Sequence, residues 1–152
     1  MNYGKFLAMI LTSTLIMFGF RYLNTYAFDH VFFSETRAYM SLLMGATMAV
    51  VMLLFMWPHY ENKKANFGIL AGSVVIFVLS LWLVRSQVTV ADVSWMKAMI
   101  PHHSIAILTS ERATITDPRV RELADSIIEA QRKEIAEMKM LIVDLERNEA
   151  QQ

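Results

Sequence analysis

The sequence predicts an all-α protein in which three transmembrane helices are followed by an antiparallel helical hairpin. Residues 38–57 and 67–84 are uncharged, mostly apolar runs. At 1.5 Å per residue each run can cross about 30 Å of hydrocarbon. After Arg85, apolar residues instead recur every three or four positions among charged ones, which is typical of amphipathic helices. This change of pattern predicts a membrane domain over residues 1–85 and a soluble helical hairpin domain over residues 86–152.

Composition excludes several classes of protein and metal site. The chain is 55% hydrophobic with no net formal charge, so no bulk charge attracts nucleic acid. It has no cysteine, which excludes disulfides, cysteine–zinc sites, iron–sulfur clusters and CxxC copper sites. A soft-metal site in this chain would have to use methionine.

The three predicted spans lie at about residues 5–23, 38–57 and 67–84. Tyrosines and tryptophans flank them, as is common at membrane interfaces. A signal peptide cleaved near residues 25–27 is an alternative for the first run, although Arg21 disfavours it. A soluble bundle is a second alternative, disfavoured by the length of the uncharged runs.

Loop charges predict the orientation in the membrane. Lys5, Lys63 and Lys64 lie on one side of the three spans, and positive loops favour the cytoplasmic side. We therefore expect a multi-pass protein of the cytoplasmic membrane with its amino-terminus inside. Its carboxy-terminal domain would be periplasmic or extracellular.

The second span carries a methionine at every fourth position. One interpretation is a thioether ladder that passes Cu(I) or Ag(I) along the membrane, since thioethers suit soft ions. The favoured interpretation is adaptable apolar packing. The row consists of Met40, Met44, Met48, Met52 and Met56.

Two helices are predicted in the hairpin. The first begins at Asp92 or Ser94, either of which is a candidate N-cap, and ends near Thr114. Asp117 as N-cap before Pro118 begins the second, which ends near Arg147. Its inner stripe is predicted to be Val120, Ala124, Ile127, Gln131, Ile135, Met138, Ile142 and Leu145. A two-helix hairpin buries too little surface to stand alone, so we expect the membrane spans or a second copy, in a homodimeric four-helix bundle, to cover it.

Methionines and histidines cluster on the facing sides of these two helices. Thioether and imidazole together favour Cu(I) or Ag(I) as the bound metal. The alternatives are hydrogen-bonded core histidines and simple methionine packing. The candidate ligands are Met96, Met99, His102, His103 and Met138, and Gln131 or Glu134 could orient an imidazole from a second shell.

No enzymatic motif is present. The chain lacks HExxH, paired Glu-x-x-His motifs, a phosphate-binding loop and G-x-S-x-G. It also lacks the aromatic set that stacks nucleic-acid bases. We therefore expect neither an enzyme nor a nucleic-acid-binding protein.

The segment Trp95-Met-Lys-Ala-Met-Ile-Pro-His-His103, followed by Gln131-x-x-Glu-Ile-x-x-Met138, resembles the domain-of-unknown-function 305 family. The resemblance covers about residues 91–145, and the preceding spans look like the membrane-anchored branch of the family. It implies a ferritin-like helical bundle outside the cytoplasm. Some members bind copper or silver through methionine and histidine. By position, Met96, Met99, His102, His103 and Met138 would be ligands here.

Two positions depart from this family pattern. Members often have methionine where this chain has Ile105 and Thr109, so two soft ligands are missing and a lower Cu(I) affinity or capacity is expected. The first functional hypothesis is a membrane-anchored protein that sequesters or transfers Cu(I) or Ag(I). The alternative is a structural or interaction subunit of a membrane complex whose hairpin docks a partner without metal.

Overall fold

A computed structural model describes residues 2–151, which form five α-helices and no strand. The all-α prediction is therefore confirmed for this part of the chain. Two short 3-10 turns, at Phe28–His30 and Trp57–His59, lie in the first two loops. The helices are α1 (Tyr3–Phe20), α2 (Glu35–Phe55), α3 (Lys63–Ser86), α4 (Asp92–Arg112) and α5 (Pro118–Glu149).

Helices α1, α2 and α3 are each long and apolar enough to cross a membrane, as the sequence predicts. The start of α5 is also as predicted, because the Asp117 carboxylate accepts a hydrogen bond from the Arg119 N–H at 2.9 Å. The predicted cap of α4 is wrong. Ala91 occupies the N-cap position and provides no side-chain cap.

Contacts divide the chain into two compact units. The first, the membrane unit, comprises residues 2–21 and 36–89, and the second, the hairpin unit, comprises residues 22–35 and 90–151. The loop between α1 and α2 thus packs with the hairpin, although it lies within the predicted membrane domain. This grouping determines what surrounds the candidate site.

In the membrane unit small and polar residues are buried while large apolar ones are exposed. Gly45 and Ala49 of α2 are buried, whereas Phe55 is 84% exposed. On α3 the buried residues are Asn66, Ser73 and Ser80, which share one face because they lie seven apart. This distribution is typical of helices that pack through small residues and face lipid with large ones.

Close helix contact and one polar network hold this unit together. A Cβ at Gly45 would collide with the Thr14 hydroxyl, so only glycine allows this approach of α1 and α2. The Tyr3 hydroxyl donates to Asn66 Oδ1 at 2.8 Å. The Asn66 amide donates to the Tyr60 carbonyl at 3.0 Å. These bonds satisfy a fully buried amide, which would otherwise be costly in an apolar setting.

In the hairpin unit α4 and α5 pack antiparallel around a small apolar core. Ion pairs such as Lys97–Glu146 at 2.6 Å lie at its surface and are worth about 0–1 kcal/mol each. Each fully buried aliphatic side chain contributes roughly 1.5–3 kcal/mol, so the core dominates. The core residues are Met96, Ile100, Ile107, Ile135, Met138 and Ile142.

The inner stripe predicted for α5 is only partly buried. Ala124, Ile135, Met138 and Ile142 are buried as expected, but Val120 and Ile127 are exposed. Helix α4 covers only part of the apolar surface of α5, and a second apolar face remains uncovered.

Candidate metal centre

The predicted methionine ligands meet in the hairpin core. Met96 on α4 and Met138 on α5 are 4% and 7% exposed and belong to the same buried cluster. Met99 packs against the edge of that cluster and is half-buried. Helical spacing explains the arrangement, since Met96 and Met99 lie three residues apart on neighbouring positions of one face. Three thioethers are therefore gathered at one place.

The imidazole of His103 bridges α4 and α5. Its Nδ1 lies 3.0 Å from the Met99 carbonyl oxygen, one turn earlier on α4. Its Nε2 lies 2.7 Å from Glu134 Oε2 on α5. Both partners are hydrogen-bond acceptors, so both contacts are satisfied together only when the imidazole carries a proton on each nitrogen. A metal would have to replace one of these two hydrogen bonds.

Glu134 is hydrogen-bonded to Nε2, the ring nitrogen of His103 that would be left for a metal. A ligating histidine commonly donates its other ring N–H to an oxygen acceptor, which fixes the ring. The Met99 carbonyl can serve in this way at Nδ1, which leaves Nε2 as the metal-binding nitrogen. Gln131, the other residue predicted to orient an imidazole, is half-buried one turn before Glu134. The predicted second-shell roles of Gln131 and Glu134 stay predictions.

His102 lies on a different side of α4. It is exposed, and its ring centroid lies 6.2 Å from that of His103 with the planes at 78°. Successive residues of a helix are rotated by about 100°, which accounts for the separation. The structure therefore gathers Met96, Met99 and Met138. It places His103 one turn after Met99 on α4, with His102 beside it towards solvent.

The donor set fits a soft metal better than a hard one. Among residues 2–151, no group of three or more His, Cys, Asp or Glu side chains could hold a metal ion. The donors near His103 are instead thioethers and one neighbouring imidazole, which suit Cu(I) or Ag(I). By chemistry the residues present fit such an ion, provided that His103 exchanges Glu134 for the metal.

Ser104, directly after the histidine pair, anchors the loop between α1 and α2. Its hydroxyl is fully buried and accepts a hydrogen bond from the Tyr26 N–H at 2.6 Å. It also lies 2.9 Å from His30 Nδ1. Because the hydroxyl already accepts from Tyr26, its own hydrogen is available to His30, and that bond requires an unprotonated Nδ1. Sequence reasoning missed Ser104, since nothing in the local pattern marks a contact to residues more than seventy positions away.

Burial and neighbouring charges shift the pKa values of His30 and Asp29 in this loop. Burial, assisted by the positive charge of Lys139, lowers the pKa of His30 below its usual 6.5, and Asp29 offsets part of the effect. The hydrogen bond from Lys139 lowers the pKa of Asp29. Neutral His30 and ionised Asp29 are thus the forms that the docked loop favours.

The methionine row of α2 does not share one environment. Met48, Met52 and Met56 pack against a buried cluster of the membrane unit that includes Phe6, whereas Met44 is 43% exposed. Met40 is half-buried. These environments are ordinary for packing, and the ladder stays a prediction.

Comparison with known proteins identifies relatives of the chain. The family model described as "Domain of unknown function (DUF305)" matches residues 82–142. An uncharacterized protein of Acanthamoeba polyphaga mimivirus is 34% identical over 106 residues, which is 68% of each chain. No solved structure matches the chain.

The His30 contact predicts a pH-dependent stability. Because the folded-state pKa of His30 is lowered, its contribution is present well above pH 6.5 and is lost as the pH falls below that value. We expect thermal unfolding in detergent, followed by circular dichroism, to show a larger loss of stability between about pH 7.5 and 5.5 in the native chain than in His30→Gln. The glutamine keeps a hydrogen-bond acceptor for Ser104 but does not titrate. Equal losses in the two proteins would contradict the assignment.

Proposed function

We propose that this chain, which belongs to the DUF305 family, is a membrane-anchored binding protein for Cu(I) or Ag(I). It would sequester the ion or transfer it, without catalysis. The observation that carries the proposal is the meeting of Met96, Met99 and Met138 at one core, with the His103 imidazole hydrogen-bonded to the Met99 carbonyl. Thioethers and imidazole suit a soft monovalent ion.

The proposed ion would arrive at the exposed side of the site. His102 faces solvent beside His103, whereas Met96 and Met138 are closed off in the core. Met99 lies between the two environments. The outer histidines and Met99 would therefore contact the ion first, and the buried thioethers would become ligands only if the hairpin opened locally.

The arrangement of loops supports an extracytoplasmic hairpin. Residues 22–35 pack with residues 90–151, so both must lie on the same side of a membrane. If α2 and α3 each cross the membrane once, the chain returns to the side from which it started. Residues 22–35 and 90–151 then lie on the same side. The positive charges of Lys5, Lys63 and Lys64 favour the cytoplasm for the other side.

A Cu(I) competition titration of the full-length protein in detergent tests the proposal. We expect stoichiometric binding by the native chain and its loss in His102→Ala/His103→Ala, because both outer imidazoles are then absent. Met99→Leu keeps the packing volume and should weaken binding. His59→Ala, which removes a histidine outside the hairpin, is the matched control and should bind as the native chain does.

Helical content measured by circular dichroism accompanies each titration, so that loss of binding is separated from unfolding. Binding that is unchanged in the folded double variant would refute the assignment of the ligands. An absence of competition by the native chain would refute metal binding altogether.

The His103–Glu134 hydrogen bond makes a second prediction about affinity. Glu134→Gln should raise the Cu(I) affinity several-fold, because the metal then displaces a neutral amide rather than a carboxylate from Nε2. The measurement is the same competition titration at fixed pH. Glu137→Gln removes another exposed glutamate of α5 and should have no effect. A lower affinity in Glu134→Gln would instead show that the carboxylate orients the imidazole for the metal.

An uncovered apolar face supports a homodimer. This outer face consists of Trp95 on α4 with Leu123, Ile127 and Leu141 on α5, which are 37–60% exposed. The α5 residues lie on one side because their spacings are four and fourteen residues. Trp95 and Leu141 also line one groove of about 480 Å³. Two hairpins joined through this face would form a four-helix bundle and cover what one hairpin leaves exposed.

Native mass spectrometry of the detergent-solubilised protein tests the dimer. The native chain should be dimeric, and Leu141→Glu should be monomeric because it places a charge in the apolar contact. Met140→Glu, which changes a residue that is 64% exposed elsewhere on α5, should remain dimeric.

A monomeric native chain would contradict the dimer. It would favour the alternative function, in which the outer face docks another subunit of a membrane complex. Trp95 supports that alternative, since half-exposed tryptophans are frequent in protein interfaces.

A further inference from the structure

The loop between α1 and α2 presents polar groups to the hairpin on one edge. The Tyr26 N–H and the His30 ring both bond the buried Ser104 hydroxyl. The Asp29 carboxylate pairs with Lys139 of α5. Glu35 accepts a 3.3 Å hydrogen bond from the Ser94 hydroxyl. The two titratable side chains that follow Tyr26 in this loop, at positions 29 and 30, and Glu35 at the start of α2 thus all contact the hairpin.

The opposite edge of the loop is apolar and uncovered. Phe28 is 97% exposed, Phe33 64% and Val31 45%. Leu23, at the beginning of the loop, is 78% exposed. An almost fully exposed phenylalanine next to further apolar groups is unusual on a surface that faces only water.

The connection of this loop to α1 and α2 favours the membrane interface as the surface that covers this edge. Phe28 lies eight residues after the end of α1 and seven before the start of α2. Even an extended chain holds it within about 29 Å of the end of α1 and about 25 Å of the start of α2. Both helices are long and apolar enough to span a membrane, so the loop between them is within reach of the layer where the headgroups meet the hydrocarbon. Aromatic residues are enriched at that depth.

We propose that residues 23–33 form a membrane strap. Phe28, Val31 and Phe33 insert into the interfacial layer of the bilayer, while Tyr26, Asp29 and His30 hold the hairpin from the other side. The proposal rests on the membrane insertion of α1 and α2 proposed above, but not on metal binding.

The distribution of charge favours lipid over a protein partner for this edge. A protein surface would be expected to meet charged groups at its rim that lack a partner within the chain, whereas the Asp29 carboxylate is already paired with Lys139 and the His30 ring bonds Ser104. The large exposed side chains of the strap are therefore mainly apolar, with Asn24 and Asp29 available to headgroups, which suits an interfacial anchor.

Spin labelling provides the test, and the absence of native cysteine makes single-cysteine variants straightforward. Phe28→Cys, Val31→Cys, Leu11→Cys and Met140→Cys are each labelled with a nitroxide in the full-length protein. They are then reconstituted into phosphatidylcholine–phosphatidylglycerol vesicles. Power saturation compares the accessibility of each label to oxygen, which concentrates in lipid, with its accessibility to a water-soluble nickel chelate.

Leu11 lies in the middle of α1 and is 63% exposed, so its label reports the hydrocarbon; Met140 on α5 reports water. We expect the oxygen-to-nickel ratio at Phe28 and Val31 to exceed that at Met140 several-fold and to fall below that at Leu11. Phe28 is so exposed that its replacement removes almost no packing. Val31 provides an independent second position.

Three results would overturn the strap. Ratios at Phe28 and Val31 equal to that at Met140, with Leu11 in lipid, would place the loop in water and leave the membrane spans intact. Labels at Phe28 and Val31 shielded from both reagents would indicate a protein partner. A water-accessible Leu11 label would remove the membrane insertion on which the strap rests, whereas the Cu(I) titration would still test the metal site.

Discussion

The buried hydroxyl of Ser104 fixes the orientation of α4 about its own axis. It joins the Tyr26 N–H and the His30 ring to the helix at one point, while Ile100 and Ile107 of the same helix pack into the core with α5. Ile100, Ser104 and Ile107 are spaced four and three residues apart and so share one buried face of α4. His102 lies on the opposite side of the helix and therefore remains at the surface. The placement of the candidate ligands follows from this orientation rather than from any contact among the ligands themselves.

If the candidate site binds a metal, the ion must compete with the Glu134 carboxylate for one imidazole. His103 uses both ring nitrogens for hydrogen bonds, to the Met99 carbonyl and to Glu134. Ile105 and Thr109, the two following positions where the family resemblance would predict methionine, supply no thioether, so fewer soft donors oppose that hydrogen bonding. A site of this kind would bind and release its ion more readily than one with preformed, unopposed ligands, which suits transfer more than storage.

The helices could be predicted from sequence because they follow from local patterns. Uncharged apolar runs gave the membrane-spanning candidates, and the Asp117–Pro118 pair marks the start of α5. The docking of residues 22–35 could not be predicted, because the contact between Tyr26 and Ser104 depends on tertiary packing. Tertiary packing also explains the error at Ile127. Periodicity predicts this residue in the inner stripe, but it is exposed because α4 does not cover both apolar sides of α5. The partner of His103 was foreseen only as a choice between Gln131 and Glu134.

The central claim is that methionine and histidine side chains of the hairpin together hold a soft metal ion. X-ray absorption at the copper K-edge, recorded on the full-length protein loaded with one equivalent of Cu(I), tests it most directly. The expected result is a mixed shell of sulfur and imidazole nitrogen around the copper. Because the chain contains no cysteine, any sulfur in the shell must come from methionine. A shell of nitrogen and oxygen alone would contradict the account.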